Sequence, residues 1–200
     1  TRDGRLLMVL GKKGCPSDSG CVNKDYRTIK RGAEPFNLPT DVFVDRYGTI
    51  YVSDGYGNAR VHKFSKEGEL ITSWGEPGRG PGQFNLPHGI YVHEGIVYVA
   101  DRENCRIQLF DTEGKYVGEW YANRPTDVYV HDKYVYVTEL GYNVGHSLIS
   151  TTPRDGVKAA RLTVFDLNGE IVTRWCSEEG CRLGYFRAPH SLCLDHKGNI

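Results

Sequence analysis

Short runs of alternating apolar and polar residues recur along this chain, and clusters of Gly, Pro, Asp and Asn separate them. In the first complete unit the runs occupy residues 39–45, 48–54, 59–64 and 68–74, and in the second they occupy 87–92, 97–101, 105–110 and 114–120. Alternation with a period of two predicts half-buried strands, and the polar clusters predict the turns between them. Each unit is therefore expected to form four short strands.

The units share the same landmarks, which predicts copies of one supersecondary structure. A proline begins each unit and a tryptophan ends its fourth strand, so that complete units cover about residues 36–75, 84–121 and 123–176. The third unit is longer because residues 141–160 are inserted between its second and third strands. Residues 186–200 begin a further unit, and residues 4–11 match the fourth strand of an earlier one.

Four-stranded units of about 40–50 residues are typical of β-propellers, whose blades form a closed ring that protects the strand edges. The predicted fold class is all-β, with residues 1–200 forming part of a single propeller domain: an outer strand, three complete blades and the start of the next. Either sequence beyond both ends or other chains would complete the ring. The chain begins without Met or an apolar leader, so we expect an internal piece of a longer protein.

Composition narrows the classes of partner. The 25 Lys and Arg balance the 25 Asp and Glu, and a net charge of zero removes the electrostatic argument for a nucleic-acid partner or an anionic membrane surface. No apolar run approaches the ~18–20 residues of a membrane span. The Gly-rich segment 78–82 lacks the lysine and helix context of a phosphate-binding loop and is expected to be a turn between blades.

Several segments carry a resemblance to a known family. They are residues 51–60, 74–76, 81–84, 86–88 and 100–104, which include Asp-Gly-Tyr at 54–56, Pro-His at 87–88 and Asp-Arg-Glu-Asn at 101–104. The units are identified as NHL repeats, and these segments closely resemble peptidyl-α-hydroxyglycine α-amidating lyase. The resemblance is dense over about residues 36–120, weakens through the third blade, and returns at Pro189-His190.

The resemblance implies a six-bladed propeller with a zinc ion in its central channel. That family cleaves a peptidyl-α-hydroxyglycine to a peptide amide and glyoxylate. By this resemblance His88 and His190 are two of three zinc ligands, with the third upstream of this chain. Tyr56 falls on the catalytic base and Arg102 on an active-site arginine that would hold the substrate carboxylate or oxyanion.

Three positions depart from the family pattern. Ala188 stands where the family has Met, two residues before the last zinc histidine. Ser191 stands in place of an Asp that helps to bind calcium, which argues against a calcium site. Gly57 replaces the cysteine that follows the catalytic tyrosine, so a disulfide cannot brace Tyr56 in the same way.

The repeat supports a metal site independently of the family. The residue after the first proline of each unit alternates as Thr40, His88, Thr126 and His190. In a six-membered ring, alternate blades would bring histidines to the axis every 120°, and three imidazoles with an open fourth position suit catalytic zinc. Ligand type alone does not distinguish zinc from nickel, copper or iron. Otherwise each histidine is a strand-start residue packed in a narrow channel.

Other polar residues have simpler interpretations. Asp41 and Asp127 follow the prolines of the non-histidine units and are expected to accept hydrogen bonds from backbone amides at a strand start, with a metal role as the alternative. Glu139 or Tyr142, at the third unit's equivalent of the Tyr56 loop, would border the same pocket. The four remaining histidines are interpreted as surface residues in outer strands or turns: His62, His93, His131 and His196.

Six cysteines bear on the compartment. Two pairs of cysteines lie in loops at the same repeat position: Cys15 with Cys21, and Cys176 with Cys181. Because neither pair has the Cys-x-x-Cys spacing of a zinc site, we predict a local disulfide in each loop. Such bonds indicate an extracellular or secreted location, or an intracellular protein of a hyperthermophile. Cys105 and Cys193 are expected to be isolated thiols buried in strands, with mutual pairing as the alternative.

Two functions from different classes follow. The first is a zinc-dependent lyase acting on a small peptide-like carbinolamide, with His88, His190, Tyr56 and Arg102 as its site. The second is a non-catalytic NHL propeller that binds a partner or builds a scaffold, in which exposed blade edges pair chain to chain as a homo-oligomer or filament. Ala188 and Gly57 favour the second function.

Overall fold

The structure is a computed structural model that describes residues 3–142, 156, 159–176 and 185–200. The described chain is almost entirely β, with three four-stranded antiparallel sheets and one two-stranded sheet. It divides into two compact units, Thr1–Pro87 and His88–Ile200. Over the described residues, no helix has the length and apolarity needed to cross a membrane.

The first unit contains one complete blade. Its strands pair in chain order and are β1 (Pro39–Val44), β2 (Ile50–Asp54), β3 (Arg60–Phe64) and β4 (Leu70–Trp74). After the blade, β5 (Glu76–Pro77) pairs in parallel with β6 (Gln83–Phe84). The Gly-rich segment 78–82 therefore forms the connection between these two short strands, as the sequence predicts.

The second unit contains two further blades. The strands of the first are β7 (Pro87–His93), β8 (Ile96–Asp101), β9 (Arg106–Asp111) and β10 (Tyr116–Tyr121). Those of the second are β11 (Pro125–His131), β12 (Tyr134–Glu139), β13 (Arg161–Asp166) and β14 (Ile171–Cys176). The long insertion connects β12 to β13, and a 3₁₀ helix, Arg102–Asn104, follows β8. The all-β fold and the three blades predicted from the repeat are confirmed.

The two partial units at the ends of the chain contain no strand over residues 4–11 or 186–200. The fourth strands β4, β10 and β14 each pair with the third strand of their own blade, and the described residues offer no such partner to residues 4–11. Residues 195–199 nevertheless repeat a blade turn: Asp195 Oδ1 accepts from the amides of Lys197 and Asn199 at 2.8 and 2.9 Å. Asp45 Oδ1 makes the equivalent bonds between β1 and β2.

Apolar side chains between the two blades of the second unit form its core. The core residues come from β11 and β12 of one blade and from β8 and β9 of the other. They are Val128, Val130, Val135 and Val137, which pack against Ala100, Ile107 and Leu109. The ring of Trp120 lies 5.8 Å from that of Tyr98 and 5.7 Å from that of Phe165. Burial of this surface stabilises the pair of blades by about 25 cal/mol for each Å² of apolar area.

His62 corrects the prediction of a surface histidine. It lies on β3, which pairs with β2 and β4, and the residue is fully buried. Its ring packs edge-on against Phe36 at a centroid distance of 5.3 Å. Its Nε2 lies 3.5 Å from Oδ2 of Asp54, also fully buried. The third strand is thus an interior strand of the blade, and its polar residues need partners there.

Candidate functional site

His88 lies at the start of β7 and is 4% exposed. Its Nδ1 lies 2.6 Å from the carbonyl oxygen of Thr126 on β11, and since a carbonyl can only accept, Nδ1 carries the hydrogen. This bond sets the tautomer of the imidazole and leaves the ring lone pair on Nε2. Metal-bound histidines have this same arrangement of one nitrogen on a carbonyl and the other available for coordination.

His190 approaches the same point from the segment after the third blade. The two imidazole centroids lie 4.6 Å apart with an interplanar angle of 73°. Thr126 Oγ1 donates to the carbonyl oxygen of Pro189 at 2.9 Å, which ties the residue before His190 to β11. The structure therefore brings together the two histidines that the sequence nominates as metal ligands.

The surroundings of His88 favour its neutral form. Burial, with the charge of Arg102 and the ring of His190 adding to it, lowers the pKa of His88 to about 3, and the hydrogen bond to Thr126 opposes this only in part. A neutral imidazole is the state that binds a metal ion. His88 therefore requires no deprotonation to act as a ligand near neutral pH.

Arg102 belongs to a buried ionic cluster that the sequence did not reveal. Its Nε donates to Oε1 of Glu103 at 2.9 Å, and Nη2 of Arg124 donates to the same oxygen at 3.0 Å. Arg124 also donates from Nη1 to the carbonyl oxygen of Gly141 at 3.1 Å. All three charged residues are buried. Two guanidinium groups share one carboxylate here.

Asp127 behaves as the sequence predicts, as an acceptor of backbone amides. Its Oδ1 accepts from the amide of Val128 at 2.9 Å and its Oδ2 from the amide of Leu192 at 3.0 Å. Oδ2 also accepts from the hydroxyl of Ser191 at 2.6 Å. Burial raises the pKa of Asp127 above its ordinary value, although these hydrogen bonds oppose the shift.

Tyr56 lies in the first unit, in the loop after β2, and is 36% exposed. The adjacent Gly57 has no room for a side chain, because a Cβ there would lie 2.3 Å from Oδ1 of Asn37. The Gly57 carbonyl accepts a hydrogen bond from the buried hydroxyl of Ser19, which also accepts from Nδ2 of Asn37 at 3.1 Å. A hydrogen-bonded brace thus lies beside Tyr56, where Gly57 rules out the disulfide of the family pattern.

The structure also places Glu139 and Tyr142, the residues predicted to border the pocket at the Tyr56 loop. Glu139 is fully buried within its own blade, where it accepts from Nη2 of Arg161 at 2.8 Å and from the hydroxyl of Thr163. Glu139 thus serves as the buried partner of Arg161 within its own blade. The hydroxyl of Tyr142 lies 3.5 Å from Sγ of Cys105.

The cysteines differ in part from the predicted disulfides. Cys15 and Cys21 are free thiols, and Cys21 Sγ donates to the carbonyl of Asp25 at 3.6 Å instead. Cys105 and Cys193 are free, as expected, but the prediction that they are buried in strands is wrong: neither lies in a strand, Cys105 is half-buried and Cys193 is exposed. The predicted bond between Cys176 and Cys181 lies outside the residues whose side chains the structure describes.

The described residues fit part of a metal site. No group of three or more His, Cys, Asp and Glu side chains among them is arranged to hold a metal ion. His88 has a neutral, oriented imidazole and the ring of His190 lies beside it, so the two residues would supply two ligands to a bound metal ion. They fit a metal ion that takes at least one further ligand from outside the described residues.

Comparisons with known proteins agree with this picture of the fold. The NHL repeat family matches residues 84–110, which contain His88 and Arg102. The solved structure of Kuenenia stuttgartiensis hydrazine synthase superposes with a TM-score of 0.59 at 13% identity, covering 82% of this chain and 41% of that one. At this identity the likeness concerns the fold alone.

Two curated relatives are more similar in sequence to this chain than hydrazine synthase is. Human NHL repeat-containing protein 3 is 42% identical over 125 residues, covering 58% of this chain and 32% of that protein. Peptidyl-α-hydroxyglycine α-amidating lyase 1 of Drosophila melanogaster is 38% identical over 85 residues, covering 38% of this chain and 16% of that protein. The chain thus spans a third or less of the length of these relatives.

Proposed function

We propose that this protein, which carries NHL-repeat β-propeller blades and resembles the peptidyl-α-hydroxyglycine α-amidating lyases, is itself a metal-dependent lyase of that type. Its substrate is a peptidyl-α-hydroxyglycine or a close relative, and its products are a peptide amide and glyoxylate. The pairing of His88 with His190 carries this proposal, since their rings lie 4.6 Å apart and the tautomer of His88 suits coordination.

The reaction needs no external reductant or oxidant. The substrate hydroxyl loses its proton, its oxygen forms the carbonyl of glyoxylate, and the bond from the same carbon to the amide nitrogen breaks. The nitrogen then takes up a proton, so atoms and electrons balance. A zinc ion held by His88 and His190 would polarise the substrate hydroxyl and lower its pKa.

The protein's side chains have separate tasks in this scheme. Tyr56 is assigned the removal of the hydroxyl proton, a role that its accessible loop permits. Arg102 is assigned the substrate carboxylate, and Glu103 holds that guanidinium in place through the 2.9 Å bond to its Nε. The guanidinium of Arg102, whose charge acts on His88, suits a substrate that carries a carboxylate.

A non-catalytic propeller is the second candidate. Human NHL repeat-containing protein 3 matches a larger share of this chain than the Drosophila lyase does. In addition, Ser191 uses its hydroxyl to donate to Asp127, where the family pattern has a calcium-binding carboxylate. In this alternative the two histidines would hold a structural metal ion, and partners would pair with exposed blade edges.

Glyoxylate release from a synthetic peptidyl-α-hydroxyglycine separates the two functions. The complete protein is assayed as purified, after chelation, and after zinc is restored. The lyase proposal expects release above the spontaneous rate that falls on chelation and returns with zinc. His88→Asn should abolish it, whereas His93→Asn, at the other end of β7, should not. Release at the spontaneous rate by zinc-loaded protein would refute the lyase function.

A further inference from the structure

We propose that Thr126 and Asp127 form one positioning pair that sets both histidines of the candidate metal site. This inference rests on the proposed function for its purpose and on the hydrogen bonds of β11 for its geometry. The pair occupies the first strand of the blade whose sequence lacks a histidine at that position. We therefore treat this blade as the support of the site.

Thr126 contacts both histidine segments at once. Its carbonyl oxygen accepts from Nδ1 of His88 at 2.6 Å, and its hydroxyl donates to the carbonyl oxygen of Pro189 at 2.9 Å. The hydroxyl also lies 2.9 Å from that of Thr138, which can donate to it while Thr126 donates onward. Thr126 is 1% exposed, so water does not compete for these bonds.

Asp127 holds the residues that follow His190. Its Oδ2 accepts both the Ser191 hydroxyl at 2.6 Å and the Leu192 amide at 3.0 Å. The other oxygen accepts the amide of Val128, so the carboxylate is fixed to its own strand while it holds the neighbouring segment. Thr126 holds the carbonyl of Pro189 and Asp127 holds the amide of Leu192, so the backbone is hydrogen-bonded to β11 on each side of His190.

A β-bulge explains how adjacent residues on one strand can do both tasks. The register of β11 with β12 shifts between Pro125 and Asp127, which leaves Thr126 as the extra residue. A bulge redirects side chains that ordinary alternation would place on opposite faces of the sheet. Here it lets the Thr126 hydroxyl and the Asp127 carboxylate both reach the segment 189–192.

The first blade repeats half of this arrangement. The register of β1 with β2 shifts between Pro39 and Asp41, and the hydroxyl of Thr40 donates to the carbonyl oxygen of Pro87 at 2.8 Å. Pro87 directly precedes His88, as Pro189 precedes His190. Each threonine in the sequence alternation thus holds the proline before the next histidine. The same bond formed twice indicates a built feature of the repeat.

Five substitutions in the complete protein test this pair. Thr126→Val removes the hydroxyl with little change of volume, Asp127→Ala removes the carboxylate, and Ser191→Ala removes one donor at an exposed position. Thr126→Ser retains the hydroxyl. Thr163→Val is the matched control, since it removes another buried threonine hydroxyl from the same blade.

The first readout requires no metal. Long-range ¹H–¹⁵N spectra of the metal-free protein report the imidazole nitrogens of both histidines. Thr126→Val, Asp127→Ala and Ser191→Ala should shift the signals of His190, while Thr126→Ser and Thr163→Val should retain the wild-type signals. In Thr126→Val the His88 Nδ1–H tautomer should persist, because the accepting carbonyl remains.

The second readout is the zinc affinity measured against a chromophoric chelator. Loss of an outer partner of a metal-binding histidine lowers affinity by about 10–100-fold, and that loss is expected for Thr126→Val and Asp127→Ala relative to Thr163→Val. The proposal is overturned if the His190 imidazole signals of Thr126→Val and Asp127→Ala are the same as those of Thr163→Val. A wild-type protein that releases no glyoxylate would refute the lyase function alone, because the imidazole signals still decide the positioning.

Discussion

The imidazole of His88 and the carbonyl of Thr126 are joined by a hydrogen bond of 2.6 Å, and the absence of a side chain at Gly89 makes that approach possible. A Cβ at position 89 would lie 2.6 Å from Cα of Asp127 and 2.9 Å from the oxygen of Thr126. Both neighbours are backbone atoms, which cannot move aside independently. The close contact between β7 and β11 thus depends on this glycine.

Substitution of Gly89 by Ala is expected to separate the two strands and lengthen the bond from His88 to Thr126. Overpacking of this kind costs about 1–3 kcal/mol in the free energy of unfolding. Urea denaturation measures the loss, and ¹⁵N spectra should show His88 as a mixture of tautomers. The control is Gly118→Ala on β10, where a Cβ meets nothing within 4 Å. Equal effects of the two substitutions would contradict the close-contact explanation.

The brace at the Tyr56 loop gives a second prediction. Ser19→Ala removes the donor to the buried Gly57 carbonyl and one of the two acceptors of Nδ2 of Asn37. We expect a loss of about 1–3 kcal/mol in the free energy of unfolding, measured by urea denaturation. If Tyr56 removes the substrate proton, glyoxylate release should fall as well.

Ser17→Ala is the matched control for this substitution. Ser17 is also buried, but its hydroxyl has no hydrogen-bond partner among the described residues. Its removal should leave stability unchanged or slightly higher, because no hydrogen bond is lost. A loss of stability in Ser17→Ala as large as that in Ser19→Ala would show that the brace contributes nothing.

The blades were predictable from sequence because their signal is repeated and local. Alternation, the first prolines and the closing tryptophans all report the same four-stranded unit, and the strands begin within a few residues of the expected positions. The hydrogen bonds of Thr126 and Asp127 to residues 189–192 were not predictable. They join positions more than sixty residues apart through a bulge, and a bulge interrupts the alternation on which strand prediction depends.

The buried cluster at Arg102 gives the third prediction. Arg124→Met removes the guanidinium that donates to Glu103 at 3.0 Å and to Gly141 at 3.1 Å. Arg102 still compensates the charge of Glu103, so the expected cost is that of a buried hydrogen bond to a charged group, about 1.5–3 kcal/mol in the free energy of unfolding. Chemical denaturation of the complete protein measures this change.

An exposed ion pair supplies the comparison for that prediction. Lys66 lies 3.7 Å from Glu67, and both side chains are largely exposed. Surface pairs contribute about 0–1 kcal/mol, so Lys66→Met should change stability only slightly. A loss in Arg124→Met no larger than that in Lys66→Met would mean that the cluster is not a stabilising element of the second unit.

The mistaken prediction for His62 shows where local patterns fail. The sequence placed it on an outer strand, but the rings of Phe36 and Phe64 lie 5.3 and 6.2 Å from its imidazole. Phe36 is 26 residues away along the chain, so no local pattern reports this contact. The equivalent position in the next blade is Gln108, which is also fully buried. Its Nε2 donates to Asp101 at 3.0 Å, whereas neither ring nitrogen of His62 makes a hydrogen bond among the described residues.

This comparison predicts the effect of His62→Gln. The amide should donate to Asp54 as Gln108 does to Asp101, and a bond to a charged acceptor contributes about 1.5–3 kcal/mol. The substitution also removes the edge-on contact between His62 and Phe36, and this loss lowers the gain by about 0.5–1.5 kcal/mol. The free energy of unfolding should therefore rise by about 1 kcal/mol, measured by urea denaturation. The reverse exchange, Gln108→His, should lower it because Asp101 loses a donor. A stabilising Gln108→His would show that the two blades satisfy their buried carboxylates by different means.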